Sequence, residues 1–366
     1  MHLRPRRQVT TAGLAIIAVA LAACSSSSSP TTTATGTSTG TASAAASGAK
    51  LSGTLNGSGS SFQLIFQQTA IQNFKTVQPN MTVNYGGGGS GKGRTDLSSG
   101  VTNFAGSDSP VPTAEESNFA GKTVLYFPVF LGPITVSYNL SGVSNLKLDA
   151  TVLANIFQGK ITKWNDPAIA ALNSGVSLPS SPITIAVRSD SSGTTQNFSL
   201  YLEKAAGSAW TLGSSSTIKW PATARAGMGN GGVAQIIKST PGAIGYVDYA
   251  DAKAASLSFA SIKNSSGNYI APSPESASAA GSAITVSANL TFHAVDSPAP
   301  QAYPITYQSW VLVIQAQSNS NNAAMLKAYI GYLLGDGQQL LTGLGYAPLP
   351  SNILTQAQAQ VSKIGT

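Results

Sequence analysis

The chain has 366 residues, 42% of them hydrophobic and 9% charged, against about 25% charged in an average soluble protein. Its formal charge is +7, but no dense Lys/Arg run follows Arg7, which argues against a nucleic-acid-binding stripe. The single cysteine excludes an internal disulfide, and no Cys/His/Asp cluster has the spacing of a metal site, so no cofactor is expected.

In chain order, the first feature reads as an export signal. Arg4, Arg6 and Arg7 form a positive region, and the apolar, uncharged stretch Ala12 to Ala23 follows. That stretch is shorter than the ~20 residues of a membrane span but fits the apolar region of a secretory signal. It ends in Leu21-Ala22-Ala23-Cys24, which resembles a bacterial lipobox. The resemblance implies cleavage before Cys24 and transfer of a diacylglycerol to its thiol. The alternatives are an uncleaved anchor, or an ordinary signal with an incidental cysteine. Residues 1–23 are therefore expected to be removed, and 24–49 to form a lipid-anchored linker. Losing three arginines leaves 17 basic and 13 acidic residues, a charge of +4. Ser25 to Ala49 holds only small residues and one proline, with no charge. It has too little apolar content to offset chain entropy and is expected to be a disordered tether.

The folded part is expected to begin near Lys50. Leu51–Leu55 reads as a strand, followed by Gly57-Ser58-Gly59-Ser60-Ser61-Phe62. Phe62, Ile65, Phe66, Ala70 and Phe74 then recur at helical spacing. Met81, Val83 and Tyr85 alternate as in a strand, ahead of Gly89-Ser90-Gly91-Lys92-Gly93. Ile183, Ile185 and Val187 alternate likewise, ahead of Arg188-Ser189-Asp190-Ser191-Ser192-Gly193-Thr194. Helix-like segments cover Ala150–Gln158, Thr195–Ala206 and Asn322–Leu341. Strands alternating with helices predict an α/β fold with helix-covered sheets.

The chemistry lies in the arrangement that occurs three times: a strand, a Gly/Ser turn, then a helix. A helix N-terminus leaves free N–H donors and a partial positive charge. Glycine admits an anion close to the backbone, and Ser/Thr hydroxyls add donors. Any one such turn is commonly plain capping. Three of them, one carrying Arg188, predict convergence on a small oxyanion, because a guanidinium can fork onto two oxygens. A fourth segment is Phe104-Ala105-Gly106-Ser107-Asp108-Ser109-Pro110. An ionised Asp108 is acceptor-only. It can accept the proton that phosphate keeps near neutral pH, and it repels sulfate, which keeps none. The plain alternative is an Asx-turn ahead of Pro110.

These blocks resemble the substrate-binding protein of the phosphate-specific ABC transporter, the PstS family. The similarity runs from about Leu51 to the C-terminus and rests on GSGSSF (57–62), FAGSDSP (104–110), GKITKWNDPAI (159–169), RSDSSGT (188–194) and TPGAIGYVDYA (240–250). It implies phosphate contacts from Ser61 (hydroxyl), Phe62 (backbone N–H), Asp108 (proton acceptor), Arg188, Ser192, Gly193 and Thr194, with Asp190 bracing the arginine. In the second turn the family's serine falls on Gly91, with Ser90 beside it. Either Ser90 substitutes or only backbone N–H groups remain. The family's usually small next position is Lys92 here. The resemblance further implies a type II periplasmic-binding-protein fold, with two α/β lobes, a ligand cleft between them and two crossing strands. The crossings are expected near Leu131–Val136 and Tyr303–Tyr307. Lobe I would be 51–132 plus 305–366, and lobe II 133–304. The function implied is a lipid-anchored extracytoplasmic receptor that passes inorganic phosphate to the membrane permease subunits of an ABC importer.

Four other readings compete, one of them a purely structural role in adhesion or the cell wall, which would show no anion affinity. Gly86-x₄-Gly91-Lys92 nearly spells a P-loop, but position 93 is Gly where Ser or Thr must hold Mg²⁺. A secreted phosphatase would have to use His293, the one histidine beyond the signal, which adjoins no nucleophile motif. The same fold could instead take sulfate, molybdate or a phosphonate; Asp108 argues against fully deprotonated anions.

Overall fold

The computed structural model describes residues 50–366; the predicted signal, Cys24 and the tether lie outside the described residues. The strands are β1 Gly53–Gly59, β2 Met81–Gly88, β3 Phe104–Ser107, β4 Val124–Tyr138, β5 Lys147–Leu148, β6 Thr184–Arg188, β7 Arg225–Gly227, β8 Ala243–Asp248, β9 Ser258–Phe259, β10 Ser261–Lys263, β11 Tyr269–Ile270 and β12 Thr306–Ile314. The helices are α1 Leu64–Val77, α2 Ser90–Ser98, α3 Thr113–Glu116, α4 Ala150–Phe157, α5 Pro167–Leu172, α6 Gly193–Ala206, α7 Gly229–Ser239, α8 Tyr249–Ala254, α9 Pro274–Gly281, α10 Ser320–Leu333 and α11 Ser351–Gln360.

The long strand β4 organises everything else. Its sequence is almost continuously apolar, and all but its first residue is buried, as expected of a strand covered on both faces. Over Val124–Pro133 it pairs antiparallel with β12, and from Ile134 to Tyr138 it pairs antiparallel with β8. The partner changes after Pro133, whose missing N–H would weaken a continuous ladder. The resulting path is β2-β1-β3-β12-β4-β8-β6-β7, with β9 beside β4. Within it, β1 runs parallel to β2 and β3 on one side, and β6 runs parallel to β7 and β8 on the other. Each parallel set requires helical crossovers, which α1, α2, α6 and α7 supply. β5, β10 and β11 form a small separate sheet.

The structure adjusts several sequence boundaries. β1 does not stop at Leu55 but continues to Gly59, because its end is held between β2 and β3. Gly57 is part of that strand: a Cβ there would lie 2.2 Å from the Phe104 ring. The first turn is therefore Ser60–Gln63. The predicted helix Asn322–Leu341 ends at Leu333 and resumes only as a short 3₁₀ turn, Asp336–Leu340. Gly335 and Gly337 lie at the break, where glycine disfavours helix. At the second predicted crossing, Tyr303–Ile305 lies outside the strand, with a turn at Pro304 and Ile305, and the strand begins at Thr306.

Other predicted elements follow their local chemistry. Asp149 caps α4 by accepting from Val152 N–H at 2.8 Å. Asp166 caps α5, with Pro167 in its first turn, and Trp164 is fully buried with Nε1 donating to Gly242 O at 3.0 Å. The GKITKWNDPAI block is thus structural.

Candidate functional site

The helices whose N-termini matter stand at the carboxyl ends of parallel strands. α1 follows β1, α2 follows β2 after Gly89, α6 follows β6, and α7 follows β7. Their first turns meet. A Cβ on Gly193 would lie 2.4 Å from Ser90 Oγ and 2.6 Å from Asp108 Cβ. One on Gly89, where φ is +93°, would lie 2.2 Å from Asp190 Oδ2. Only glycine permits such an approach of two backbones.

Asp108 is the buried acid of this cluster, 1% exposed, at the end of β3. Its Oδ1 accepts from Ser60 Oγ at 2.6 Å and Ser309 Oγ at 2.5 Å, and its Oδ2 lies 3.2 Å from Ser90 Oγ. Its N–H donates to Ser90 Oγ at 3.1 Å, and its carbonyl accepts from Asn197 Nδ2 at 2.7 Å. Burial pushes its pKa above the ordinary carboxylate value, while the hydroxyls of Ser309 and Ser60, the charge of Arg188 and Ser90 pull it back. Arg94 braces the segment from beneath. It is 1% exposed, donates to Ser107 Oγ at 3.2 Å and Ser109 Oγ at 3.1 Å, and forks onto Glu115.

Arg188, 5% exposed, ends β6. One edge of its guanidinium is committed to Asp190, with Nε donating to Oδ1 at 2.8 Å and Nη2 to Oδ2. Burial opposes the arginine's charge, and Asp190 more than offsets that, so its pKa rises. Burial would likewise raise Asp190, but Arg188 and the Gly229 N–H hold it below the usual range. The Arg188 N–H donates to Tyr246 Oη at 3.1 Å, and Tyr246 shares a 2.7 Å hydrogen bond with Thr195. On the other edge, Nη1 donates to Thr194 Oγ1 at 3.2 Å.

Most predicted residues come together, with roles that differ in detail. Ser61 and Thr194 approach each other through Asn230, which contacts both hydroxyls. Ser192 Oγ caps α6, accepting from Thr195 N–H at 3.1 Å. The Phe62 N–H donates to Ser60 Oγ at 3.1 Å, and its ring stacks on Tyr307 at 4.1 Å. That ring also explains Gly132, where a Cβ would lie 2.5 Å from it. In the second turn Ser90 is fully buried against Asp108. The Gly91 N–H donates to Ser191 O at 3.0 Å, and a Cβ there would lie 2.1 Å from Ser191 Oγ. Ser191 thus fills the space that a side chain at 91 would need. Lys92 turns away and pairs with Asp96 in the next turn of α2.

Sequence reading missed Ser60, Asn197, Asn230, Tyr246, Gln308 and Ser309. Asn230 had a usable signal: Gly229-Asn230-Gly231-Gly232 is another glycine-rich helix start after a strand. Ser309 and Gln308 sit in the buried strand β12, where nothing local distinguishes them. Among the described residues, no group of three or more His, Cys, Asp or Glu could hold a metal ion.

The arrangement can therefore hold one small oxyanion by neutral donors and a single braced guanidinium, with a buried acceptor alongside. Comparison with known proteins agrees in family. Residues 44–336 match the model of a PBP superfamily domain. The phosphate-binding protein PstS 3 of Mycobacterium leprae is 35% identical over 321 residues, 85% of this chain and 87% of that protein. The phosphate-binding protein PstS of Pasteurella multocida is 36% identical over 318 residues, 84% and 89% respectively. Among solved structures, a high-affinity periplasmic phosphate-binding protein, PfluDING, bound with phosphate, matches with a TM-score of 0.69 at 22% identity. That match covers 84% of this chain and 94% of the other, and at this identity it supports the fold alone. The chain belongs to the PBP superfamily and, within it, to the PstS family of phosphate-binding proteins.

Proposed function

We propose that this chain is an extracytoplasmic receptor for inorganic phosphate, held to a membrane through lipid on Cys24, that hands its ligand to the permease subunits of an ABC importer. The lobes on either side of the cleft are 51–132 plus 305–366, and 133–304. The ligand contacts are the Ser61 hydroxyl, the N–H groups around Phe62 and Gly193, Ser90, Thr194, Arg188 and the carboxylate of Asp108. Ser192 supports the α6 turn and Asp190 supports Arg188.

One observation carries the reading: a fully buried carboxylate, Asp108, shares a site with a fully buried guanidinium and converging helix N-termini. A site for any anion would gain nothing from a buried acceptor. A site for a protonated anion gains a hydrogen bond that sulfate cannot make. The family relatives, named for phosphate binding, support the same choice. Among the described residues no helix is long and apolar enough to cross a membrane.

The test is calorimetric titration of the ligand-stripped protein with phosphate and then sulfate. One-to-one phosphate binding with no heat from sulfate is expected. Equal binding of both would leave an oxyanion receptor without the proposed specificity, and heat from neither would overturn the reading.

A further inference from the structure

Ser61 and Thr194 belong to opposite sides of the site, yet one buried side chain touches both. Asn230 is fully buried in the first turn of α7. Its backbone N–H donates to Ser61 Oγ at 3.2 Å, and its Nδ2 donates to the same oxygen at 3.1 Å. Nδ2 also lies 3.5 Å from Thr194 Oγ1. The amide is oriented by its other end, because Oδ1 accepts the Asp248 N–H at 3.4 Å. An N–H there requires an oxygen, which fixes Nδ2 toward the hydroxyls.

A hydroxyl has two acceptor lone pairs and one proton to donate. At Ser61 both lone pairs are taken by Asn230. At Thr194 one is taken by Arg188 Nη1 at 3.2 Å and the other faces Asn230. Each hydroxyl can then act in only one way toward a further partner, by donating its proton. A freely rotating hydroxyl could instead turn a lone pair toward an anion and repel it.

We propose that Asn230 is a positioning residue that makes the Ser61 and Thr194 hydroxyls obligate donors to the bound anion. The proposal rests on reading this cluster as the phosphate site. It assigns Asn230 a role in affinity exerted through two other residues, without contact to the ligand itself.

A double-mutant cycle tests it, with inorganic phosphate as the probe and the full chain as the protein. Asn230→Ala should weaken phosphate binding by about tenfold, the scale of one or two lost hydrogen bonds. In a Ser61→Ala background the same change should cost distinctly less, because only Thr194 remains to be oriented. Asn230→Asp, of equal size but with an acceptor where Nδ2 stood, should bind more weakly than Asn230→Ala, since both hydroxyls can now donate to the new carboxylate. Melting temperatures of the ligand-free variants report folding, and if Asn230→Ala does not fold, the Asn230→Asp and Ser61→Ala cycle decides. Additive effects, or wild-type affinity in Asn230→Asp, would overturn the proposal. A wild-type chain that binds no phosphate would overturn the underlying reading of the site as well.

Discussion

Asp108 and Arg188 are both buried, and each is made tolerable by different neighbours. Arg188 is neutralised by Asp190, whereas Asp108 has no salt-bridge partner among the described residues and is held by serine hydroxyls. A carboxylate supported only by neutral donors keeps acceptor capacity for a ligand proton, which one forked onto an arginine would lose. Asp108→Asn replaces that acceptor with a group able to donate. Its preference for phosphate over sulfate, measured by competition, should fall by about 2 kcal/mol, with unchanged preference removing Asp108 from the selectivity argument. Acidity should act in the same direction. Because burial raises the Asp108 pKa, the carboxyl takes up its own proton at a higher pH than an ordinary aspartate, and discrimination against sulfate should shrink as pH falls through that value. The clustering of Asp108, Arg188 and Asp190 was legible in sequence because each sits in a short motif beside Gly and Ser. Ser309 and Gln308 were not, because they reach the site from a strand distant in the chain.

Helix starts do most of the positioning, and glycine decides how closely they meet. Sequence reading found three of these starts and misplaced the first by extending its turn back into β1. The reason is tertiary: β1 gains ladder partners on both sides as far as Gly59, and these override the local Gly/Ser signal for a turn. Gly193 is the sharpest test at this scale. Its φ is not in the left-handed region, so alanine would be tolerated by the backbone of α6 itself and strained only by Ser90 and Asp108 opposite. Gly193→Ala should therefore fold with its secondary structure intact and lose about 1–3 kcal/mol of phosphate affinity through overpacking where the turns meet. Circular dichroism with titration calorimetry checks both halves of that statement, and wild-type affinity would show that the two turns need not close to this distance.

At the level of the whole molecule, β4 and β12 link the two parallel sets of strands; of the crossings that the family resemblance implied, Leu131–Val136 falls within β4, and Tyr303–Tyr307 overlaps β12 only at Thr306 and Tyr307. Their registers were not legible, since an apolar run does not say where one partner replaces another. Pro133 and the turn before Thr306 mark that place in the structure. Ser61 and Ser90 lie on one side of the exchange and Arg188 and Thr194 on the other; in the proposed receptor a ligand touching both favours their approach by its differential contacts. The most direct measurement is a crystal structure of the protein with phosphate. One anion is expected between the β1–β3 and β6–β7 strand ends, with the Arg188 fork on two of its oxygens, Ser61 and Thr194 donating, and one oxygen within hydrogen-bond distance of Asp108. Phosphate bound elsewhere, or bound here with Asp108 turned away from it, would contradict the proposed site.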